Sequence, residues 1–310
     1  MKRVILTLLV ALFALSASAQ ELNVASFNIR NGAPLKEGKE RPTKGKSDYV
    51  KYNGWDDRKQ ILCDMINFEA FDIFGSQEVR KVQLDEMLAM LPDYDYIGVG
   101  RNDGKTSGEY AAIFYKKDRF ELIEWGIEWY TAKPGTTGFD AATPRNMTWA
   151  HLRDKKSTKE FFCISSHFDH KGKEAKCMSS YILLDVIKRL SGSLPVIVCG
   201  DFNDTPHSRT LRPLTENGRL TCITDTLSGS YRYKGHWQQI DHIYLSPALL
   251  DSRHTLHLSP HGAWIPDDVT LMEPEPLYGG YRPHRTYNGL HYEGGTSDHL
   301  PVCSDLEFSW

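Results

Sequence analysis

A carboxylate stands beside an imidazole in Ser297-Asp298-His299, between Gly294-Gly295 and the short apolar run Leu300-Pro301-Val302. Alone the step is weak, because a loop Asp often only caps a turn. Four other steps share its form, an apolar run that reads as a strand followed by polar residues, and they end at Asn28, Glu78, His167 and Asp201/Asn203. Together they supply what hydrolysis of a phosphate ester requires: ligands for a cation that neutralises developing charge, a positioned water, and a proton source for the leaving group.

Glu78, in Gly75-Ser76-Gln77-Glu78-Val79, offers a hard oxygen ligand to Mg²⁺ or Mn²⁺. Asn28, in Ser26-Phe27-Asn28-Ile29-Arg30, offers a neutral oxygen to the same ion or orients the attacking water. His167 closes the run Phe162-Cys163-Ile164-Ser165-Ser166, where a protonated imidazole would bind a phosphate oxygen. Asp169 and His170 follow at once and read equally as satisfied loop groups. The strongest segment is Gly200-Asp201-Phe202-Asn203, because Asp201 and Asn203 alternate just past a strand and so point the same way. One takes a proton from water while the other fixes its orientation.

Asp241 lies in the apolar strand Ile240-Asp241-His242-Ile243-Tyr244, where a buried carboxylate needs a partner. His167 and His299 are the candidates, since a carboxylate fixes an imidazole's tautomer and favours its charge. His242 faces the opposite side of that strand and reads as structural. Asp298 reads as a second metal contact, and His299 as a group for proton transfer or phosphate binding. The chain lacks the HExxH or paired-Cys spacing that would make zinc the first choice.

The elements that must position these residues can be read from periodicity. Strands are expected at Leu22–Ile29, Phe71–Gly75, Tyr94–Val99, Tyr110–Tyr115, Phe120–Trp129, Asn146–Arg153, Glu160–His167, Val196–Cys199, Ile240–Leu245, Thr255–Leu258 and Leu300–Phe308. The run from Tyr94 to His167 has the form of a β-meander. Helices are expected after Asp56 or Asp57, with Ile61, Leu62, Met65 and Ile66 on one face, and over Val82–Leu91, Lys176–Leu190 and Arg209–Leu214. Strands in both halves with few helices favour two packed sheets with helices outside over a doubly wound parallel sheet. Neither a linker nor a repeat is visible, so residues 20–310 are expected to form a single α/β domain.

Residues 1–19 combine basic Lys2 and Arg3, an apolar run from Val4 to Leu15, and Ala17-Ser18-Ala19. That is a signal peptide pattern with cleavage expected before Gln20, which predicts an exported, periplasmic or secreted protein. With 40 acidic against 37 basic residues, the chain is not expected to grip duplex nucleic acid tightly. The cysteines give no disulfide framework: Cys63, Cys163, Cys199 and Cys303 sit in apolar patterns, and Cys177 with Cys222 is the pair to expect if any forms.

In order along the chain, Asn28, Gln77-Glu78, Ser166-His167, Gly200-Asp201-Phe202-Asn203, Ile240-Asp241 and Ser297-Asp298-His299 form a pattern that resembles the endonuclease/exonuclease/phosphatase superfamily. Its members include deoxyribonuclease I, abasic-site endonucleases, inositol-polyphosphate 5-phosphatases, bacterial sphingomyelinases and deadenylases. The resemblance implies a deoxyribonuclease I-like four-layer α/β/β/α sandwich and Mg²⁺-dependent cleavage of a phosphate ester. It further implies a metal on Glu78, with His167 and His299 at the scissile phosphate. Through it alone, Glu109-Tyr110 and Arg145 gain meaning as positions that place a carboxylate or aromatic and an arginine beside the substrate.

The expected activity is therefore phosphodiesterase or phosphatase, with Asp201 as base and Glu78 and Asp298 holding Mg²⁺, or Mn²⁺ in its place. The expected substrate is a small phosphorylated molecule, a single-stranded nucleic acid or a phospholipid head group, and the expected state is a monomer. The alternative is a non-catalytic protein on the same fold that grips a ligand through residues 262–295. That segment mixes Trp264, Tyr278, Tyr281, Tyr287 and Tyr292 with Arg282, His284, Arg285 and His291, types that stack on a base or sugar and grip a phosphate.

Overall fold

The structure, a computed structural model, describes residues 20–32, 54–227, 229–233, 236–246, 257–264, 284–287, 290–293 and 296–309. The leader, most of the loop from Asn31 to Ser47 and most of 262–295 lie outside the described residues.

In chain order the elements are β1 (Gln20–Asn28), α1 (Trp55–Glu69), β2 (Ile73–Val79), α2 (Lys81–Met90), β3 (Tyr94–Ile97), β4 (Tyr110–Lys116), β5 (Phe120–Trp129), β6 (Asn146–Asp154) and β7 (Glu160–His167). There follow α3 (Lys173–Leu190), β8 (Val196–Asp201), α4 (Arg212–Thr215), β9 (Thr221–Cys222), β10 (Tyr231–Tyr233), β11 (His236–Gln238), β12 (Asp241–Leu245), β13 (His257–Trp264), β14 (His284–Tyr287), β15 (Leu290–Glu293) and β16 (Val302–Ser309). One sheet runs β13-β16-β1-β2-β4-β3 and the other β5-β6-β7-β8-β12-β9. The expected two-sheet sandwich with outer helices is the observed architecture.

Both sheets are built around the same unit. In one, β1 and β2 pair in parallel across a connection through α1; in the other, β7 and β8 do so through α3. Parallel pairing brings the C-terminal ends of neighbouring strands to one edge. Asn28 and Gln77-Glu78 therefore leave one sheet beside each other, as His167 and Asp201 leave the second. The antiparallel strands β16 and β12 flank these pairs, so Asp241 at the start of β12 lies opposite Asp201.

Three apolar clusters define four layers. One packs α1 and α2 on the first sheet through Ile61, Met65, Phe74, Leu84 and Phe114. The second joins the two sheets through Val24, Ile113, Leu152, Cys163 and Ile197, and the third packs α3 on the second sheet through Phe162, Leu183, Val186 and Tyr244. The sheets are in close contact at Gly75. A Cβ on Gly75 would lie 2.7 Å from Cys199 Cβ and 3.0 Å from Ser165 Oγ, so only glycine fits there.

The run from Tyr94 to His167 is not one meander. Strands β3 and β4 pair in the first sheet, the chain crosses at 117–119, and β5, β6 and β7 form a meander in the second. Tyr115 and Phe120 both face the inter-sheet core, which is what the crossing achieves. Alternation marks a strand and its inner face but not its sheet. All six cysteines are free thiols, so the Cys177–Cys222 pair does not form.

Candidate active site

The strand ends converge on Asp201, which is buried. Its Oδ2 accepts from Asn28 Nδ2 at 2.9 Å and lies 3.5 Å from His167 Nε2 and 4.0 Å from His299 Nε2. Its Oδ1 accepts from the Asn203 backbone N–H at 2.9 Å. Burial, reinforced by the charge of Asp241, pushes its pKa up to about 7.

His299 Nδ1 lies 2.8 Å from Asp241 Oδ2, and that oxygen also accepts from Ser230 Oγ at 2.6 Å. Burial opposes charge on His299, but Asp241, then Asp201 and Asp298, outweigh it and raise its pKa to about 10. Asp241 is thus the partner of His299 rather than His167. His167 differs from the expected cation: burial, followed by the guanidinium charges of Arg145 and Arg101, holds its pKa well below the usual histidine range. His242 points away to the Asp204 carbonyl at 2.9 Å and is structural, as read.

Glu78 owes its position to a break in β2. The register with β4 shifts between Ser76 and Val79, and Glu78 takes a left-handed φ of 63°. Arg30 and Asn203, with φ of 58° and 52°, adopt the same strained region, so three of the seven non-glycine residues with positive φ among the described residues lie at the site. Glu78 Oε2 accepts from the backbone and side-chain nitrogens of Asn31, both at 2.9 Å, and Oε1 from Asn28 Nδ2 at 3.2 Å. Burial would raise its pKa, but the Asn31 N–H, the His299 charge and these amides lower it, so the carboxylate stays ionised.

Several expectations change in detail. Asn28 turns its NH₂ to Glu78 and Asp201 and its oxygen to the Arg30 N–H at 2.9 Å, so here it bridges carboxylates rather than offering a ligand oxygen. Asn203 lends Asp201 its backbone, while its side-chain amide donates to the Phe168 carbonyl at 3.1 Å. Asp298 lies 3.7 Å from Arg30 Nε. Tyr110 is a correction: its ring belongs to the core against α1 and α2, and its hydroxyl donates to the Lys105 carbonyl at 2.9 Å. Of the two, Glu109, the residue before β4, reaches the site. There it pairs with Arg101 Nη1 at 2.7 Å and accepts from Asn31 Nδ2 at 3.3 Å. Arg145 is buried, 3.6 Å from Asp169 and 3.2 Å from His170 Nδ1.

Residues the sequence did not single out complete the assembly. Arg58 of α1, buried, donates to the carbonyls of Ile29 at 2.8 Å, Arg30 at 3.1 Å and Thr296 at 2.6 Å. It ties the end of β1 to the turn carrying Asp298 and His299. Ser297 Oγ reinforces the tie by donating to the Asn28 carbonyl at 2.7 Å. The Tyr231 ring stacks on His299 with centroids 4.5 Å apart.

The donor chemistry fits a divalent cation. Among the described residues, Asp201, Asp241 and His299 bring candidate ligand atoms within 4.8 Å of one another, and Asp241 Oδ1 is buried with no hydrogen-bond partner. A protonated His299 has no lone pair to give, so the carboxylates are the donors that fit. Glu78 adds an ionised carboxylate next to this group through Asn28.

The pattern of the Endonuclease/Exonuclease/phosphatase family matches residues 25–299, and the chain belongs to that family. A solved endonuclease/exonuclease/phosphatase family protein of Bacteroides thetaiotaomicron is 31% identical, with a TM-score of 0.75, covering 94% of this chain and 99% of that one. A mannosyl-6-phosphatase of Bacteroides thetaiotaomicron VPI-5482 is 31% identical, with a TM-score of 0.72, covering 92% of this chain and 99% of that one. The chain spans about half the length of the curated relatives it matches. One is the Arabidopsis thaliana carbon catabolite repressor protein 4 homolog 3, 23% identical over 203 residues, 62% of this chain and 42% of that protein.

Proposed function

We propose that the protein is an exported, divalent-cation-dependent phosphoester hydrolase in which water attacks phosphorus directly. The observation that supports this most is the convergence of Asn28, His167 and the His299–Asp241 pair on the single buried carboxylate of Asp201. Family membership and the 31% identical mannosyl-6-phosphatase support the same class of reaction.

In this reading Asp201 takes a proton from the attacking water, and a pKa near 7 suits a base at neutral pH. Asn28 and the Asn203 backbone hold its carboxylate in place. The His299 imidazolium, kept charged by Asp241, faces the phosphate and donates to the departing oxygen. Neutral His167 and the Arg145 guanidinium bind phosphate oxygens, and Glu109 sets the edge of the pocket. The imidazolium already balances Asp201 and Asp241, which leaves ionised Glu78, with Asp298, as the residues that would hold Mg²⁺ or Mn²⁺. Such a cation, when bound, supplies neutralisation of charge on the phosphate.

The substrate is a phosphate ester, and a small phosphorylated molecule suits the relative's phosphatase name. Export rests on Lys2, Arg3, the apolar run to Leu15 and Ala17-Ser18-Ala19. Assays of the purified protein on phosphate esters in Mg²⁺ and in EDTA test the reading. Hydrolysis lost in EDTA and restored by Mg²⁺ or Mn²⁺ is expected; an unchanged rate in EDTA overturns cation dependence.

A further inference from the structure

Beside Asp201 lies a second, cationic wall. Arg101, on the loop before β4, has a side chain only 12% exposed, and its Nε is buried with no hydrogen-bond partner. Arg145, at the entry to β6, is 6% exposed, and both its Nε and Nη1 lack hydrogen-bond partners. Trp129 Nε1 donates to the Arg101 carbonyl at 3.0 Å, the next residue, Tyr130, donates its N–H to the Arg145 carbonyl at 3.1 Å, and Met147 pairs with Ser166. Both arginines and His167 therefore stand at the same end of β5, β6 and β7.

Each arginine has a carboxylate beside it, but neither carboxylate takes up all of the donors. Asp169 is occupied by four backbone N–H groups, from Ala142, Thr143, Lys171 and Gly172, and stands off Arg145 at 3.6 Å. Glu109 is shared between Arg101 at 2.7 Å and Arg80 at 3.9 Å and also accepts from Asn31. Buried guanidinium donors without acceptors are costly, and a bound anion is what satisfies them. A phosphodiester brings two unesterified oxygens and one charge. A terminal phosphate brings a third oxygen and, near neutral pH, close to a second charge.

We propose that Arg101, together with Arg145, grips the third unesterified oxygen of a terminal phosphate beside His167, so that the site selects phosphomonoesters over phosphodiesters. This rests on the phosphoester-hydrolase reading and narrows it. Arg101 is then a substrate-contacting residue that sets specificity, and Glu109 holds its guanidinium in place. The planar fork matters as well as the charge, because lysine cannot offer the same paired donors.

The test compares p-nitrophenyl phosphate with bis(p-nitrophenyl) phosphate in Mg²⁺, for wild type, Arg101→Met and Arg101→Lys. Wild type is expected to favour the monoester in kcat/KM. Arg101→Met is expected to lose about 10–100-fold on the monoester, the worth of a charge-assisted hydrogen bond, and less than about 3-fold on the diester. Arg101→Lys, which keeps Glu109 paired and guards against a folding defect, is expected to recover part of the loss on the monoester alone. Equal losses on both substrates, or a wild-type preference for the diester, overturn the proposal. Should neither be hydrolysed, the hydrolase reading fails, and calorimetry decides the anion pocket separately. Tighter binding of inorganic phosphate than of dimethyl phosphate, with the margin lost in Arg101→Met, supports it; equal affinities in wild type overturn it.

Discussion

His299 Nδ1 and Asp241 Oδ2 stand 2.8 Å apart, both side chains buried, and Ser230 Oγ closes on the same carboxylate oxygen at 2.6 Å. The pair joins the first residue of β12 to the turn before β16, and so couples the second sheet to the first. Its consequence is a charged imidazole directed at Asp201.

That charge can be observed in the metal-free protein. His299 has a folded pKa near 10, above its unfolded value of about 6.5. Its contribution to stability is therefore fully present below about pH 6.5 and is lost as pH rises through about 10. Ring-proton NMR is expected to show His299 protonated at about pH 8, while His167 titrates below the usual histidine range. In Asp241→Asn, burial acts on His299 with its main partner gone, and the imidazole is expected to titrate near or below 6.5. A wild-type His299 that titrates near 6.5 would contradict the assignment.

Glu78→Gln keeps the size of the side chain and removes its charge. Calorimetric titration with Mg²⁺ is expected to show affinity at least about tenfold weaker than wild type, since Mg²⁺ sites depend on one or two carboxylates. Unchanged affinity would move the cation to the Asp201, Asp241 and His299 group.

How much of this was legible in the sequence follows from where each residue sits. Asp201, His167 and Glu78 end strands, and a strand-end polar residue after an apolar run announces both its element and its edge. The same alternation gave the two-sheet sandwich. It could not say that β4 and β5 belong to different sheets, because sheet membership is a tertiary property. Glu109 and Tyr110 were read as one unit, whereas the fold sends the Tyr110 ring into the core and the Glu109 carboxylate to Arg101, a separation set by tertiary contacts. The orientation of the Asn28 amide depends on Arg30 N–H and Asp201, partners 2 and 173 residues away. Arg58 and Arg101 were missed because a lone arginine on a helix or loop carries no local signal of burial.

Arg58 tests the link between fold and site. Its fork holds three carbonyls from two distant segments, and Arg58→Lys keeps the charge but cannot span them. Destabilisation of about 2–3 kcal/mol is expected in denaturant unfolding, with kcat falling more than KM rises, because Asn28 and His299 lose their common anchor. A variant with wild-type stability and kcat would show that Ser297 suffices.

Gly75 reports on the spacing of the sheets. Gly75→Ala forces a methyl against Cys199 and Ser165, and a cost of about 1–3 kcal/mol is expected in the same measurement. Pairing with Cys199→Ala, which clears the nearest atom beyond Cβ, is expected to recover less than half, since Cys199 Cβ itself remains at 2.7 Å. Full recovery would mean that the thiol, not the sheet separation, sets the limit.

The central claim is that Asp201 and His299 perform proton transfer at one phosphate. Its most direct test is kcat/KM on p-nitrophenyl phosphate in Mg²⁺ for wild type, Asp201→Ala and His299→Ala, with folding checked by circular dichroism. Each variant is expected to fall by about 10²–10⁴-fold, the usual worth of a positioned acid or base. Full activity in both folded variants would contradict it.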